Sequence, residues 1–148
     1  MKQKELNNTS PSKQDSAVLP KSRILRGKQN FDRIFSESER LGAPFVVLRY
    51  RIYDEPTEGF QVGFITPKKI GKAVHRNRIR RKLREAFRLQ QHILLPGLRE
   101  LNKGLHMVLI ARTSEANTQQ IHSSVGNLLK ELSSHLTGIP SGIDQPES

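Results

Sequence analysis

The chain has 148 residues, with 25 Lys and Arg against 14 Asp and Glu, so its formal net charge is +11. The absence of cysteine excludes disulfides, thiol catalysis and Cys-ligated zinc, and no apolar run approaches the roughly 20 residues that span a bilayer. The polar N-terminus lacks the apolar segment of a signal peptide. These features predict a cytoplasmic protein without membrane contact whose partner is a polyanion, above all a nucleic acid.

The two ends of the chain differ in composition from its middle. Residues 1–20 are polar and contain Pro11 and Pro20, and residues 138–148 are rich in Gly and Pro. Segments with so little apolar surface to bury do not offset the entropy of ordering. We therefore expect a disordered N-terminal tail at 1–20, a single domain at 21–137 and a disordered C-terminal tail at 138–148.

Apolar periodicity predicts six elements in the domain. In chain order they are a helix at 28–38, ended by Gly42 and Pro44; strands at 45–53 and 60–66; a helix at 74–92, ended by Pro96 and Gly97; a strand at 105–111; and a helix at 117–136. Alternation in the first strand puts Leu48, Tyr50 and Ile52 on one face and Arg49 and Arg51 on the other. The order α-β-β-α-β-α predicts an α+β fold, a small two-layer α-β sandwich with helices packed on a central sheet.

Residues 68–88 carry most of the positive charge. Ten cations face one anion, Glu85, so this segment contributes +9 of the net +11. The cations are Lys68, Lys69, Lys72, Arg76, Arg78, Arg80, Arg81, Lys82, Arg84 and Arg88. Charged helix faces are usually only solvated, but here the acids that would relieve repulsion at i,i+4 are missing. Arginine also offers a planar fork for phosphate oxygens. The pattern favours a polyanion-binding face.

A helical projection separates the two sides of this helix. Ile79, Leu83, Ala86 and Phe87 form an apolar stripe, whereas the cations occupy the opposite arc. Gly71 precedes the helix and permits a close approach of the backbone to a phosphate. Two roles stay open for Asn77, which either contacts a sugar or base edge or caps the first turn. His75 either contacts a phosphate or is simply a surface residue.

The segment resembles the bacterial ribonuclease P protein component. The resemblance rests on Gly71-Lys72-Ala73-Val74, on the "RNR" motif Arg76-Asn77-Arg78, and on the residues that follow up to Phe87-Arg88. Phe31-Asp32-Arg33-Ile34-Phe35 is similar to the family's first helix, and 62–64 and 108–112 are similar to its strands. The match runs over about 22–136 in the expected order.

The resemblance implies a fold and a function. The fold would contain a left-handed β-α-β crossover, as in a related ribosomal protein domain, against the usual right-handed rule. The chain would be the protein subunit of ribonuclease P, one monomer per catalytic RNA, and would assist removal of the 5′ leader from precursor tRNA. The RNA would perform the hydrolysis with Mg²⁺ that it binds itself. The basic residues above, with Asn77, would bind RNA. Phe31 and Phe35 would line the leader cleft, although their spacing fits core residues equally well.

Two residues depart from the family's pattern, and two other functions compete with the ribonuclease P interpretation. His106 stands where the family usually has an acid, and Pro67 where it has a small polar residue. One rival is another basic RNA-binding protein, such as a ribosomal-protein-like subunit, which composition alone does not separate from the first interpretation. The other is a metal-dependent nuclease, but its carboxylates would have to cluster, and the acids are scattered along the chain. The Mg²⁺ implied by the resemblance would be bound mainly by the RNA subunit, and the sequence leaves open whether any protein residue ligates a metal ion.

Overall fold

The computed structural model describes residues 23–25, 27–55 and 59–137. The predicted tails at 1–20 and 138–148 lie outside these residues. The elements, in chain order, are α1 (Lys28–Ser36), β1 (Glu39–Gly42), β2 (Val46–Tyr53), β3 (Phe60–Ile65), a 3-10 turn (Lys68–Ile70), α2 (Ala73–Gln90), a second 3-10 turn (Gln91–Leu94), α3 (Leu95–Leu101), β4 (Gly104–Ala111) and α4 (Thr118–Thr137). The α+β class predicted from the sequence is confirmed.

The four strands form one sheet in the order β1-β2-β4-β3. β2 pairs antiparallel with β1 and β4, whereas β3 and β4 are parallel. The parallel pair is connected through α2, which is the crossover that the resemblance implies. Its left-handed sense stays a prediction.

The two faces of the sheet bury different cores. One face packs against α2 and α4 and contains the larger cluster, with Leu48, Leu109 and Phe87 fully buried. α3 packs on α4 at the edge of this cluster. The other face carries α1 over a small cluster of Leu25, Ile34 and Val108. Since α1 is a single short helix, it covers only part of this second face among the described residues.

Most predicted bounds agree with the structure within two residues, but two details were wrong. Gly42 does not end a helix, because α1 stops at Ser36 and residues 39–42 form the edge strand β1. A four-residue strand with one buried side chain has no alternation to detect, and its pairing with β2 stabilises it. The strand register keeps Leu48, Tyr50 and Ile52 on one face, as the alternation predicted. Ile52 is nevertheless 37% exposed, because it lies near the end of β2.

The second error concerns the end of the basic helix. Pro96 and Gly97 do not stop it, because α2 has already ended at Gln90 and Pro96 lies in the first turn of α3. Proline is tolerated there, since the first turn of a helix needs no backbone N–H partner. Gly97 is buried against α4, where an added Cβ would lie 2.9 Å from the Cβ of Leu136.

Candidate nucleic-acid interface

The apolar stripe of α2 fixes which side of the helix meets solvent. Ile79, Leu83, Ala86 and Phe87 are buried, as the projection predicted. The Phe87 ring lies 6.2 Å from that of Phe60 and 6.0 Å from that of Phe64, both on β3. This packing anchors α2 to the sheet and turns its cations outward.

Five of these cations line one depression between α2 and the start of α4. We call them the basic face; they are Arg78, Arg81, Lys82, Arg84 and Arg88. The depression has a volume of about 400 Å³ and is completed by Glu85 and Thr118. Five cations beside one carboxylate make a surface whose field favours phosphate.

The cations of the basic face differ in how far they are already engaged. Glu85 accepts hydrogen bonds from Arg88, and this bond lowers the pKa of the Glu85 carboxyl below its ordinary value. Lys82 donates to the backbone oxygen of Ala116 at 3.1 Å. Arg78 and Arg81 are exposed and have no hydrogen-bond or ion-pair partner among the described residues. These two guanidiniums are the most available to a ligand.

The cations at the start of the helix brace the loop before it. Arg76 donates from Nε to the oxygen of Gly71 at 3.0 Å, and Arg80 donates to Oγ1 of the buried Thr66 at 2.7 Å. Lys68, Lys69 and Lys72 are exposed. The loop is thus held by arginines of the helix it precedes, and it presents three lysines next to them.

Asn77 and His75 both reach solvent. Lys72, and not Asn77, occupies the N-cap position of α2, and no side chain caps that end. Asn77 lies in the second turn, where its oxygen is 3.5 Å from Nη1 of Arg80. The capping alternative for Asn77 is therefore wrong, which leaves the RNA contact as a prediction. His75 is exposed, so its contact with phosphate is sterically open.

Phe31 and Phe35 lie one turn apart on α1 but differ in their surroundings. Phe31 is partly buried and packs on the small cluster, where a Cβ added to Gly63 would lie 2.9 Å from its ring. Phe35 is 45% exposed, and the guanidinium carbon of Arg49 lies 5.8 Å from its ring centroid. The structure thus brings only Phe35 to the surface as an open aromatic platform.

Beside α1, a row of small and apolar residues crosses all four strands. We call it the sheet row; it runs Gly42, Val47, Ile110 and Ile65 in register. All four are at least partly exposed. Ile65 is followed by Thr66, which Arg80 contacts, so the β3 end of the row approaches the start of α2. A strand of RNA lying along this row would have cations at that end.

Sequence reasoning missed a second group of cations, at the opposite end of the sheet row. Arg40, Arg49 and Arg112 lie around Gly42 and are called the edge arginines below. They are distant in sequence and have Glu37 and Glu39 as near neighbours, so a charge count along the chain does not detect them. The alternation in β2 was the one available signal, because it puts Arg49 on the face opposite Leu48.

His106 lies inside the fold, packed against an aromatic ring. It is buried in β4, and its ring lies 4.8 Å from that of Tyr53 in an edge-on contact. Among residues 23–25, 27–55 and 59–137, no three His, Asp or Glu side chains are placed so that they could hold a metal ion.

No helix in the described part of the chain is both long and apolar enough to cross a membrane.

Comparison with known proteins identifies similar chains over most of the sequence. The family model described as "Ribonuclease P" matches residues 19–133. The ribonuclease P protein component of Chlorobaculum tepidum is 35% identical over 136 residues, covering 84% of this chain and 88% of its own. The solved structure of the Thermotoga maritima RNase P protein is 27% identical with a TM-score of 0.57, covering 73% of this chain and 96% of its own. The Staphylococcus aureus RNase P protein, at 24% identity, shares the fold with a TM-score of 0.60 over 76% of this chain and 96% of its own.

Proposed function

Because this chain belongs to the ribonuclease P protein family, we propose that it binds the catalytic RNA through its basic face and assists removal of the 5′ leader from precursor tRNA. Membership makes it the protein component of an endoribonuclease and sets the ribosomal-protein-like alternative aside. The contact surfaces, the precursor and the division of chemistry between protein and RNA are the proposal.

The basic face is the observation that carries the proposal. Arg78 and Arg81 are exposed without a protein partner in the described ranges, and Arg84 lies beside them over the Phe64 ring, at 6.0 Å. Like-charged neighbours destabilise a helix by a few tenths of a kcal/mol per pair. Phosphates of a structured RNA offset that repulsion, and each contact releases counterions, which favours binding.

The sheet row supplies the surface for a single strand. The exposed ring of Phe35 stacks a base and the apolar floor of the row packs against its neighbours. Neither contact reads the base sequence, which suits leaders that differ between tRNAs. We propose that Lys68, Lys69 and Lys72 contact backbone phosphates where the row approaches α2. The loop that carries them is braced by Arg76 and Arg80, which act as positioning residues there.

We propose that the RNA subunit performs the hydrolysis and holds the Mg²⁺ that activates water and stabilises the leaving oxygen. The described part of this chain offers no group of carboxylates or histidines for that ion. In this proposal the chain's own residues bind and orient RNA and take no proton in the reaction. The proposal also includes that the protein is monomeric, lies in the cytoplasm and binds as one copy per RNA.

Reconstitution tests the proposal. The full-length protein, its cognate catalytic RNA and a precursor tRNA should yield leader removal at low Mg²⁺, where the RNA alone is slow. The protein without RNA should leave the precursor intact. R78A/R81A should raise the protein concentration needed for half-maximal cleavage at least tenfold. K103A/K130A, which removes the same charge elsewhere on the surface, should leave it unchanged. Cleavage by the protein alone would contradict the assignment of the chemistry.

A further inference from the structure

Two of the edge arginines, Arg40 and Arg112, converge on one spot of the sheet. Gly42 has no side chain, and the place that a Cβ would take there lies 3.3 Å from Nη2 of Arg112 and 3.5 Å from Nη1 of Arg40. Arg40 stands directly opposite Arg49 in the β1–β2 register. Directly opposite residues share a face of an antiparallel pair. The three side chains thus belong to the face of the sheet that carries α1.

These arginines lack the acidic partners that neighbouring cations have. Arg51 lies on the same face of β2 and forms an ion pair with Glu37 at 2.9 Å. Among the described residues, no carboxylate pairs with Arg40, Arg49 or Arg112. Like charges placed opposite each other destabilise a sheet. The fold therefore holds a concentrated positive charge at its β1 edge that nothing in this part of the protein neutralises.

The position of the cluster relates it to the sheet row. Gly42 is the first residue of the row, and Ile65, near the lysines of the α2 loop, is the last. Three strand spacings of about 4.8 Å separate the two ends by roughly 14 Å. Arg49 is anchored by a 3.1 Å hydrogen bond from Nη1 to the hydroxyl of Ser38 and lies over Phe35. An aromatic platform and an apolar floor therefore have cations at both ends.

We infer that the edge arginines bind the phosphates of the precursor's 5′ leader where the single strand leaves the sheet row at the β1 edge. This inference rests on the proposed function and adds a second phosphate site to it, remote from the basic helix. The guanidiniums of Arg40 and Arg112 converge closely enough to contact one phosphate or two successive ones. Arginine serves this purpose better than lysine, because its planar fork donates two parallel hydrogen bonds to phosphate oxygens.

Leader length separates this site from the others. A short leader ends within the sheet row, whereas a long one reaches the edge arginines. The assembled holoenzyme would be titrated with fluorescent precursors whose leaders are either too short to cross the row or several nucleotides longer. R40Q/R112Q is the test variant, and K103Q/K130Q is the charge-matched control. We expect R40Q/R112Q to bind the long-leader precursor about tenfold more weakly, and the short-leader precursor within twofold of the wild type. The salt slope for the long leader should fall by about 1.4, since each single-strand phosphate contact contributes about 0.7.

The other outcomes decide between failure of this inference and failure of the proposed function. Equal losses for both leaders, or weaker binding of the catalytic RNA itself, would show that the cluster contacts another part of the complex. Unchanged binding of both precursors would show that it contacts no RNA. Either result overturns the leader site alone, provided that the wild type binds long leaders better than short ones. A wild-type holoenzyme indifferent to the leader would instead overturn the leader function proposed above.

Discussion

Phe31 and Phe35 show how two identical side chains on one helix come to lie in different surroundings. The ring of Phe31 packs against Gly63 and Val108, whereas that of Phe35 is 45% exposed next to Arg49. Their spacing in the sequence fits both a core and a cleft. Only the path of α1 across the sheet separates the two residues.

Substituting these rings one at a time should separate stability from binding. Phe35→Ala should leave the free energy of unfolding nearly unchanged and weaken binding of leader-bearing precursor roughly tenfold, because one base loses its stacking partner. Phe31→Ala should cost about 2–3 kcal/mol of stability through the cavity under α1. Urea unfolding, with holoenzyme affinities for precursor and mature tRNA, measures both effects. Equal losses for the two RNAs on Phe35→Ala would contradict a leader contact.

Tyr50 links one buried side chain to the pH dependence of stability. Burial, followed by the charges of Glu39 and Glu131, raises the pKa of its phenol above the ordinary value of 10.0. Its hydroxyl lies 2.9 Å from Nδ1 of His135. The folded state thus prefers the neutral phenol. This contribution to stability is complete below pH about 10 and is lost as the pH rises through the raised pKa.

Tyr50→Phe should therefore flatten the alkaline fall in stability. The variant loses about 1 kcal/mol near neutral pH with the hydrogen bond to His135, but it has no phenol to ionise. Urea unfolding from pH 8 to 11 would show the free energies of wild type and variant converging as the pH rises. Parallel curves over that range would contradict the role of Tyr50.

At the level of elements, the loop before α2 is as well defined as the helix itself. Gly71 has a φ of +152°, and a Cβ added to it would lie 2.8 Å from Oγ of Ser114. That hydroxyl donates to the oxygen of Ile70 at 2.8 Å, so the β4–α4 connection holds this loop. Together with Arg76 and Arg80, these contacts decide where the lysines before α2 lie.

Gly71→Ala should disturb both stability and RNA binding. The strained backbone costs about 1–3 kcal/mol. The contact with Ser114 displaces the loop that carries Lys68, Lys69 and Lys72 (the lysine loop), so RNA affinity should fall several-fold. Gly59→Ala is the matched control, because Gly59 also has a positive φ, +69°, but a Cβ there meets nothing within 4 Å. This control should lose stability and keep its RNA affinity. An equal loss of affinity in both variants would mean that strain alone, and not the position of the loop, is responsible.

At the level of the whole molecule, charge is separated from the hydrophobic core. The main cluster packs on one face of the sheet, while the basic face, the lysine loop and the edge arginines lie around the outside. A protein arranged in this way binds RNA mainly through phosphates, and its affinity depends on the surrounding salt.

The logarithm of the affinity for the catalytic RNA should therefore fall linearly with the logarithm of salt concentration. Each contact contributes about 0.9 to the slope on a duplex and about 0.7 on a single strand. Arg78→Ala should reduce the slope by the amount that one contact contributes, whereas Lys130→Ala on α4 should leave the slope unchanged. Titrations at salt concentrations from about 50 to about 400 mM measure this slope. A flat dependence would contradict phosphate binding by the basic face.

The sequence by itself determined the features that depend on local order. The 3.6-residue period of α2 predicted its buried stripe and its basic arc. Three of the four strands were predicted from short apolar runs, two of which alternate. Periodicity works there because each helix or strand turns its own apolar side chains to one core. The ordered motifs around Arg76-Asn77-Arg78 further indicated the family, which the comparisons then confirmed.

Only the tertiary structure decided what depends on distant segments meeting. β1 exists through its pairing with β2, and Phe31 and Phe35 differ because α1 crosses the sheet. The basic helix was visible in the sequence because its cations are consecutive, and the structure added that some brace a loop while Arg78 and Arg81 remain open. The edge arginines were not visible, because the strand register, and not the order of residues along the chain, brings them together.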